Sequence, residues 1–165
     1  MKITCFTTMI AVFLLFCTNR IQAQTTPTKL NQVELMKQLL GNWKSEAFQD
    51  TIWTGECKSF GNGLEWSSKT ELKGKIVSEG RSLMGYDKKN DQLIECDLSN
   101  SSPDIMLYSM WFTSANKLEE ILLKDVSHPE NALIMKYEFK SPDLFIETDI
   151  MNNKTVGTYT MHRVK

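Results

Sequence analysis

The segment LLGNWKSE, residues 39–46, marks a change of periodicity in the chain. Before it, apolar residues recur at spacings of three and four, which predicts an amphipathic helix; they are Leu30, Val33, Met36, Leu39 and Leu40. After it, the apolar period becomes two, and turn residues recur about every eight to twelve positions, a pattern typical of a β-sandwich or β-barrel. The segment is therefore predicted to lead from a short helix into the first strand.

The ends of the helix carry recognisable signals. Asn31 is followed three residues later by Glu34, a spacing at which the two side chains can cap the first turn of a helix reciprocally. Gly41 stands where a left-handed residue would end the helix. The helix is thus expected to begin near residue 31 and to stop at Gly41.

The rest of the chain predicts ten short antiparallel strands. They are residues 43–50, 52–60, 64–72, 75–84, 92–99, 105–113, 118–126, 133–140, 144–151 and 155–163. Residues 118–126 also fit a helical period, but they lie within a regular series of hairpins, which favours a strand. Many short strands leave exposed edges unless the sheet closes. The fold class is therefore predicted to be all-β, a single closed up-and-down barrel of 8–10 strands preceded by one short helix.

The first residues have the layout of a secretory signal peptide. Lys2 precedes an apolar run from Met9 to Cys17, and a short polar stretch ends at Ala23. The run is shorter than the roughly 20 residues that span a bilayer, so no integral membrane span is expected.

Cleavage after Ala23 would leave a polar leader, residues 24–29, and a barrel domain, residues 30–165. We expect an exported protein, periplasmic or secreted. Lipid attachment at Cys17 is disfavoured, because bulky Phe16 precedes it.

The charge of the chain argues against polyanionic partners. The whole sequence has 19 basic and 20 acidic residues, and removing residues 1–23 takes away only Lys2 and Arg20 among them. The mature chain is therefore weakly acidic, and no run of like charge exceeds two residues. Neither a nucleic-acid site nor a polybasic membrane-binding patch is expected.

Two cysteines remain after cleavage, Cys57 and Cys96. An oxidising compartment permits a disulfide between them. The predicted strand order places them on strands that are not neighbours, so two thiols that act as small apolar side chains are the favoured alternative.

The strand predicted at residues 105–113 is apolar on both faces. Met106, Tyr108 and Met110 alternate with residues such as Leu107 and Trp111. Its outer face therefore needs a cover, which could be the N-terminal helix or a second copy of the chain. The second possibility predicts a homodimer through residues 105–113.

The helix followed by Gly41-Asn42-Trp43 resembles the G-x-W opening of lipocalins and related calycin barrels. In those barrels the tryptophan closes one end, and a basic residue late in the last strand packs across its ring. The resemblance implies that Trp43 and Arg163 form this closing pair. Gly85-Tyr86-Asp87 also matches a motif of uncharacterised lipocalin-like domains in secreted bacterial proteins. The number of strands points to relatives of the ten-stranded fatty-acid-binding or haem-binding barrels.

Strand parity, with Trp43 taken as facing inward, predicts the residues of the barrel interior. The large candidates are Trp53, Trp66, Tyr108, Met110, Tyr137 and Tyr159. They would either line a cavity for a small apolar or amphipathic molecule or fill the barrel completely. The first alternative predicts a ligand-binding protein, and the second an interaction module with a solid interior.

No pattern in the sequence indicates catalysis, a metal site or a resident cofactor. His162 is predicted to point outward, opposite to Arg163, which disfavours haem ligation, and His128 lies in a turn. Glu147 and Asp149 alternate with apolar residues and are interpreted as the solvent-facing side of their strand. The adjacent pair Glu119–Glu120 would face opposite ways, and the cluster at residues 87–91 lacks the glycine and the distal glutamate of a calcium loop.

Overall fold

The computed structural model describes residues 29–48 and 50–165, without the side chains of residues 47 and 48. The predicted signal peptide of residues 1–23, including Cys17 and the cleavage site after Ala23, lies outside the described residues, as does the leader up to residue 28. No helix within the described part of the chain is long and apolar enough to cross a bilayer.

The structure consists of one helical turn followed by ten strands. Helix α1 spans Gln32–Leu35 and continues as a 3-10 turn over Met36–Leu39. The strands are β1 Gly41–Phe48, β2 Thr51–Phe60, β3 Gly63–Leu72, β4 Lys75–Asp87, β5 Gln92–Ser99, β6 Ser102–Ser114, β7 Lys117–Leu122, β8 Leu133–Ser141, β9 Leu144–Met151 and β10 Lys154–Val164. Two further 3-10 turns, Leu123–Asp125 and Pro129–Asn131, lie between β7 and β8.

The ten strands close into a single up-and-down barrel. Every strand pairs antiparallel with its neighbours in the chain, and β1 pairs with β10 through Trp43 opposite Arg163. The tight turns contain residues with positive φ, for example Asn152 at 52° and Asn153 at 60°, a conformation that asparagine tolerates in hairpins. The predicted fold class is confirmed, with ten strands.

The segment predicted as one strand over residues 118–126 divides in two. Its first part is β7, which pairs with β6 as far as Leu122. The remainder forms the 3-10 turn Leu123–Asp125, so the prediction of a strand is wrong there. β8 begins only at Leu133, after the connection, so residues 123–126 have no strand beside them on that side.

The helix is shorter than predicted, and its end differs. Asn31 accepts a hydrogen bond from the backbone N–H of Glu34 at 3.1 Å, as expected for a cap. The prediction that Gly41 is a left-handed helix cap is wrong, because the 3-10 turn ends at Leu39 and Gly41 begins β1 with φ +122°. A glycine is nevertheless required, since a Cβ at this position would collide with the guanidinium of Arg163.

Helix α1 packs across one end of the barrel. The side-chain amide of Gln32 donates to the carbonyl of Phe112 at 3.1 Å and accepts from its N–H at 2.7 Å, and so satisfies the backbone of β6. Met36 is buried in the core below it. The helix does not cover the outer face of residues 105–113, where Ile105 remains 60% exposed and Leu107 42% exposed.

The buried core is concentrated at this closed end of the barrel. Its members are Met36, Leu39, Trp43, Cys57, Leu64, Met84, Leu93, Met110, Phe112, Leu118, Phe139, Phe145 and Met161. We call this cluster the floor. Trp43 meets Phe145 edge-on at 4.7 Å between ring centroids, and Phe139 lies 5.4 Å from Phe145. The barrel is therefore solid at one end.

The two cysteines of the described chain are free thiols. Cys57 faces inward beside Trp66 in the register of β2 and β3, and burial raises the pKa of its thiol to about 12. Cys96 lies on the opposite, outer surface, between Leu83 and Leu107. Side chains on opposite faces of non-adjacent strands cannot meet the geometry of a disulfide. The disulfide alternative is therefore wrong for this structure.

Candidate ligand-binding cavity

Beyond the floor, the barrel is hollow. A cavity of about 440 Å³, partly open to solvent, occupies the interior between the floor and the opposite end. All six residues predicted for the interior lie on its wall: Trp53, Trp66, Tyr108, Met110, Tyr137 and Tyr159. Their role in binding a ligand stays a prediction. The two alternatives drawn from the sequence, a filled barrel and a hollow one, each describe one part of the molecule.

Two tryptophans form the aromatic part of the wall. The rings of Trp53 on β2 and Trp66 on β3 lie 5.9 Å apart between centroids, tilted by 32°. Gly55 makes this pairing possible, because a Cβ there would approach the ring of Trp53 and lie 2.9 Å from Nε1 of Trp66. An aromatic surface thus borders this side of the cavity.

Arg163 connects several segments of the chain at the closed end of the barrel. Its guanidinium carbon lies 4.3 Å from the ring centroid of Trp43, a distance suited to a cation–π interaction. Nε donates to the carbonyl of Pro142 at 2.8 Å, and the terminal nitrogens donate to the carbonyls of Leu40 and Gln38. One side chain therefore joins the last strand, the residues that end the helical segment and the β8–β9 turn.

The sequence interpretation of Glu147 and Asp149 as solvent-facing residues is wrong. Both carboxylates lie on the cavity wall. In the register of the sheet Glu147 stands between Tyr137 and Tyr159, which face inward as well. The apolar residues that alternate with them, such as Ile146, lie on the outer face and are half-buried. The alternation was correct, but its inner and outer faces were exchanged.

Three further acidic residues of the cavity were missed as site residues. They are Glu95 and Asp97 on β5 and Glu120 on β7. Glu120 is only 4% exposed, whereas its neighbour Glu119 points outward and pairs with Lys136 at 2.9 Å. Strand parity from the inward Tyr108 could have identified Glu95, because the two residues are directly opposed on β5 and β6.

The polar groups of the wall are only partly satisfied. The hydroxyl of Tyr137 donates to Oε2 of Glu120 at 2.6 Å, and the hydroxyl of Ser82 donates to Oε1 of Glu95. By contrast, Oδ1 of Asp149 and Oγ of Ser45 are buried and have no hydrogen-bond partner. Buried polar groups of this kind are uncommon, since leaving them unpaired costs about 1–3 kcal/mol each.

Burial shifts the titration of the wall carboxylates. Desolvation raises the pKa of Glu95 to about 7 and that of Glu147 to about 8, and nearby carboxylates add to both shifts. The pKa of Glu120 is raised well above its ordinary value for the same first reason. Among the residues that the structure describes, no lysine, arginine or histidine lines the cavity. The carboxylates therefore lack a counter-charge within the cavity.

The remaining polar candidates lie elsewhere. His162 is exposed and faces outward beside Lys44, and His128 is exposed in the β7–β8 connection. Asp87 accepts hydrogen bonds from the backbone of Lys89 and the side chain of Asn90, as in a hairpin turn. Among the residues that the structure describes, no group of three histidines, cysteines or carboxylates converges to hold a metal ion.

Comparison with known proteins does not show which family the chain belongs to. No family model matches the chain, and no curated protein matches it in sequence. The arrangement itself is a half-filled barrel whose open part combines aromatic rings, methionines and carboxyl groups without a counter-charge among the described residues.

Proposed function

We propose that this protein is an exported, lipocalin-like barrel that binds a small amphipathic molecule in its cavity and does not transform it. The observation that carries the proposal is the cavity of about 440 Å³ above the solid floor. Small-molecule sites are typically clefts of roughly 300–1,000 Å³ with apolar walls and a few polar groups. The cavity fits this description in size and lining.

The division of the interior supports a pre-formed site. The floor supplies the packed core that stabilises the barrel, so the open part can remain hollow. The two parts differ in packing, because Phe112 and Phe139 pack 6.1 Å apart in the floor, whereas Trp53 and Tyr159 are only partly buried and line the space above it.

The closed end of the barrel supports the proposed resemblance to lipocalin-like proteins. Trp43 and Arg163 occupy the positions expected from the G-x-W resemblance and are in contact. A short helix across the same end and a closed antiparallel barrel agree with a calycin-like architecture.

Fluorescence titration with a neutral probe, N-phenyl-1-naphthylamine, tests the proposed binding. Thr70 lines the cavity, and its neighbour Lys69 faces outward, where it pairs with Glu79 at 3.4 Å. We expect Thr70→Trp to fill the cavity and weaken probe binding by about tenfold or more, a loss of about 1.4 kcal/mol or more. Lys69→Trp adds the same ring outside and should leave the affinity unchanged.

Circular dichroism of both variants verifies that the barrel remains folded. The proposal is contradicted if the unmodified protein does not bind the probe, or if folded Thr70→Trp binds it as tightly as the unmodified protein does.

A second candidate function is self-association through the outer face of β4, β5 and β6. Leu83 and Leu107 flank Cys96 in one row of the sheet, and Leu98 and Ile105 lie beside them. These four apolar side chains are between 42% and 60% exposed. A contiguous exposed apolar patch on a soluble domain commonly marks an interaction surface.

Sedimentation velocity measures this association directly. If the patch is a dimer interface, Leu107→Glu should convert a dimer into a monomer. Val156→Glu, at a 60% exposed position on β10, should have no effect. A protein that sediments as a monomer at its highest soluble concentration rules this function out.

A further inference from the structure

We infer that the cavity selects a cationic amphiphile, an organic ammonium attached to an apolar or aromatic body. The inference rests on the proposed binding function and specifies the chemical class of its ligand. In the described part of the chain, five carboxyl groups and no basic side chain line the cavity. Because burial without a counter-charge disfavours the ionised form of these groups, a ligand of opposite charge would stabilise that form and complete the site.

The charges occupy one side of the cavity. β5, β7 and β9 contribute all five carboxyl groups, and the strands between and beside them contribute Tyr108, Tyr137 and Tyr159. The opposite wall, from β2 and β3, carries Trp53 and Trp66. A molecule with an ammonium at one end and an apolar body at the other matches this division.

Buried polar atoms without a hydrogen-bond partner indicate that the ligand also carries hydrogen-bond donors. Oδ1 of Asp149 and Oγ of Ser45 are buried on the cavity wall without a hydrogen-bond partner, and Ser45 is only 2% exposed. An ionised carboxylate can only accept hydrogen bonds. A protonated amine on the carboxyl side of the cavity brings N–H donors that can pair with Oδ1 of Asp149, whereas Ser45 stands opposite Trp53 in the register of β1 and β2.

The same wall disfavours an anionic ligand such as a fatty acid. Its carboxylate would enter beside Glu120 and Glu147 with no cation to pair with. Burial already raises the pKa of Glu147 to about 8 because the charged form is poorly solvated. An ammonium would stabilise the ionised form of these groups, whereas a second carboxylate would repel it.

An organic cation fits the geometry better than a metal ion. The carboxyl groups are distributed over three non-adjacent strands, and in the described part of the chain no three of them converge as metal ligands. The cavity also offers far more volume than an ion requires, and its indole rings provide an apolar surface for the body of an organic molecule.

Calorimetric titration with decylamine, 1-decanol and decanoate tests the inference, since the three probes share one chain and differ in head group. All are used below the concentrations at which they aggregate, near neutral pH. We expect decylamine to bind about tenfold or more tightly than decanol, and decanoate to bind most weakly.

Glu147→Gln preserves the shape of the side chain and removes its ability to ionise beside a bound ammonium. It should weaken decylamine about tenfold and leave decanol unchanged. Glu119→Gln removes a carboxylate from the outer face of β7 and serves as the matched control, with no change for either probe.

The outcomes separate the two claims. If none of the three probes binds, the proposed function itself is contradicted. If decanol or decanoate binds as tightly as decylamine, or if Glu147→Gln leaves decylamine binding unchanged, the cavity binds amphiphiles but the selection of a cation is overturned.

Discussion

Replacing Trp43 by alanine is expected to lower the free energy of unfolding by about 3–5 kcal/mol, the range for truncating a large buried aromatic residue. Trp43 is 1% exposed and belongs to the floor. Its indole N–H donates to the carbonyl of Leu39 at 2.8 Å, and its ring contacts Phe145 and Arg163. Truncation would leave a cavity, an unpaired carbonyl and a cation without its aromatic partner.

Urea unfolding followed by circular dichroism measures this loss. Trp53→Ala is the matched control, because Trp53 is only partly buried and already borders an open space. We expect Trp53→Ala to cost clearly less than Trp43→Ala. Equal costs, or a loss below about 1 kcal/mol for Trp43→Ala, would contradict the division of the barrel into a solid floor and a hollow part.

A double-mutant cycle with Arg163→Ala extends the same test. The two side chains are in direct contact, so their effects should be non-additive by about 0.5–3 kcal/mol. Additive losses would show that the closing pair is two independent contacts.

The barrel was predictable because its signals are local. The change from a helical to an alternating pattern at Gly41 and the turn clusters between strands specify the order of the elements. Parity counted from Trp43 also placed Trp53 and Tyr159 correctly on the inner face, because side chains alternate strictly along a strand. The 3-10 turn at Leu123–Asp125 escaped prediction, since the apolar residues of segment 118–126 fit a helical and a strand pattern and the segment lies in a series of hairpins.

The charged wall was not predicted, and the reason is physical. Alternation shows that the two faces of a strand differ, but it does not show which face is inside. The usual assumption that apolar residues face inward fails on β9, where Ile146 faces outward and Glu147 faces the cavity. A barrel that holds a polar cavity can place carboxylates inside, because they border a space rather than a packed core.

The buried carboxylates make a second large effect predictable: the protein should be most stable near pH 4.5–5 and lose stability as the pH rises to about 8. Glu147 has a pKa of about 8 and Glu95 a pKa of about 7 in the folded state, against an ordinary value of 4.5. Between these values the folded chain binds more protons than the unfolded chain does. The free energy of unfolding therefore falls with rising pH, by an amount on the order of a few kcal/mol.

Exposed carboxylates act in the opposite direction at lower pH. Hydrogen bonds from Asn90 and Lys89 lower the pKa of Asp87 below its ordinary value of 3.8, so the stability that this group contributes is lost as the pH falls through the acid range. Its effect is small because the group is solvated. The two contributions together place the maximum of stability on the acid side of neutrality.

Urea unfolding at about pH 5 and about pH 8 tests this prediction in the unmodified protein and in Glu147→Gln. Glutamine cannot ionise, so the variant should lose less stability between the two pH values and should exceed the unmodified protein in stability at the higher one. Glu119→Gln, on the outer face of β7, should keep the full pH dependence. Because the cost arises from placing a carboxylate in a cavity without a counter-charge, decylamine should also raise the unfolding midpoint more at pH 8 than at pH 5. A stability that is constant or rises across this range would mean that Glu147 and Glu95 are solvated in the folded protein.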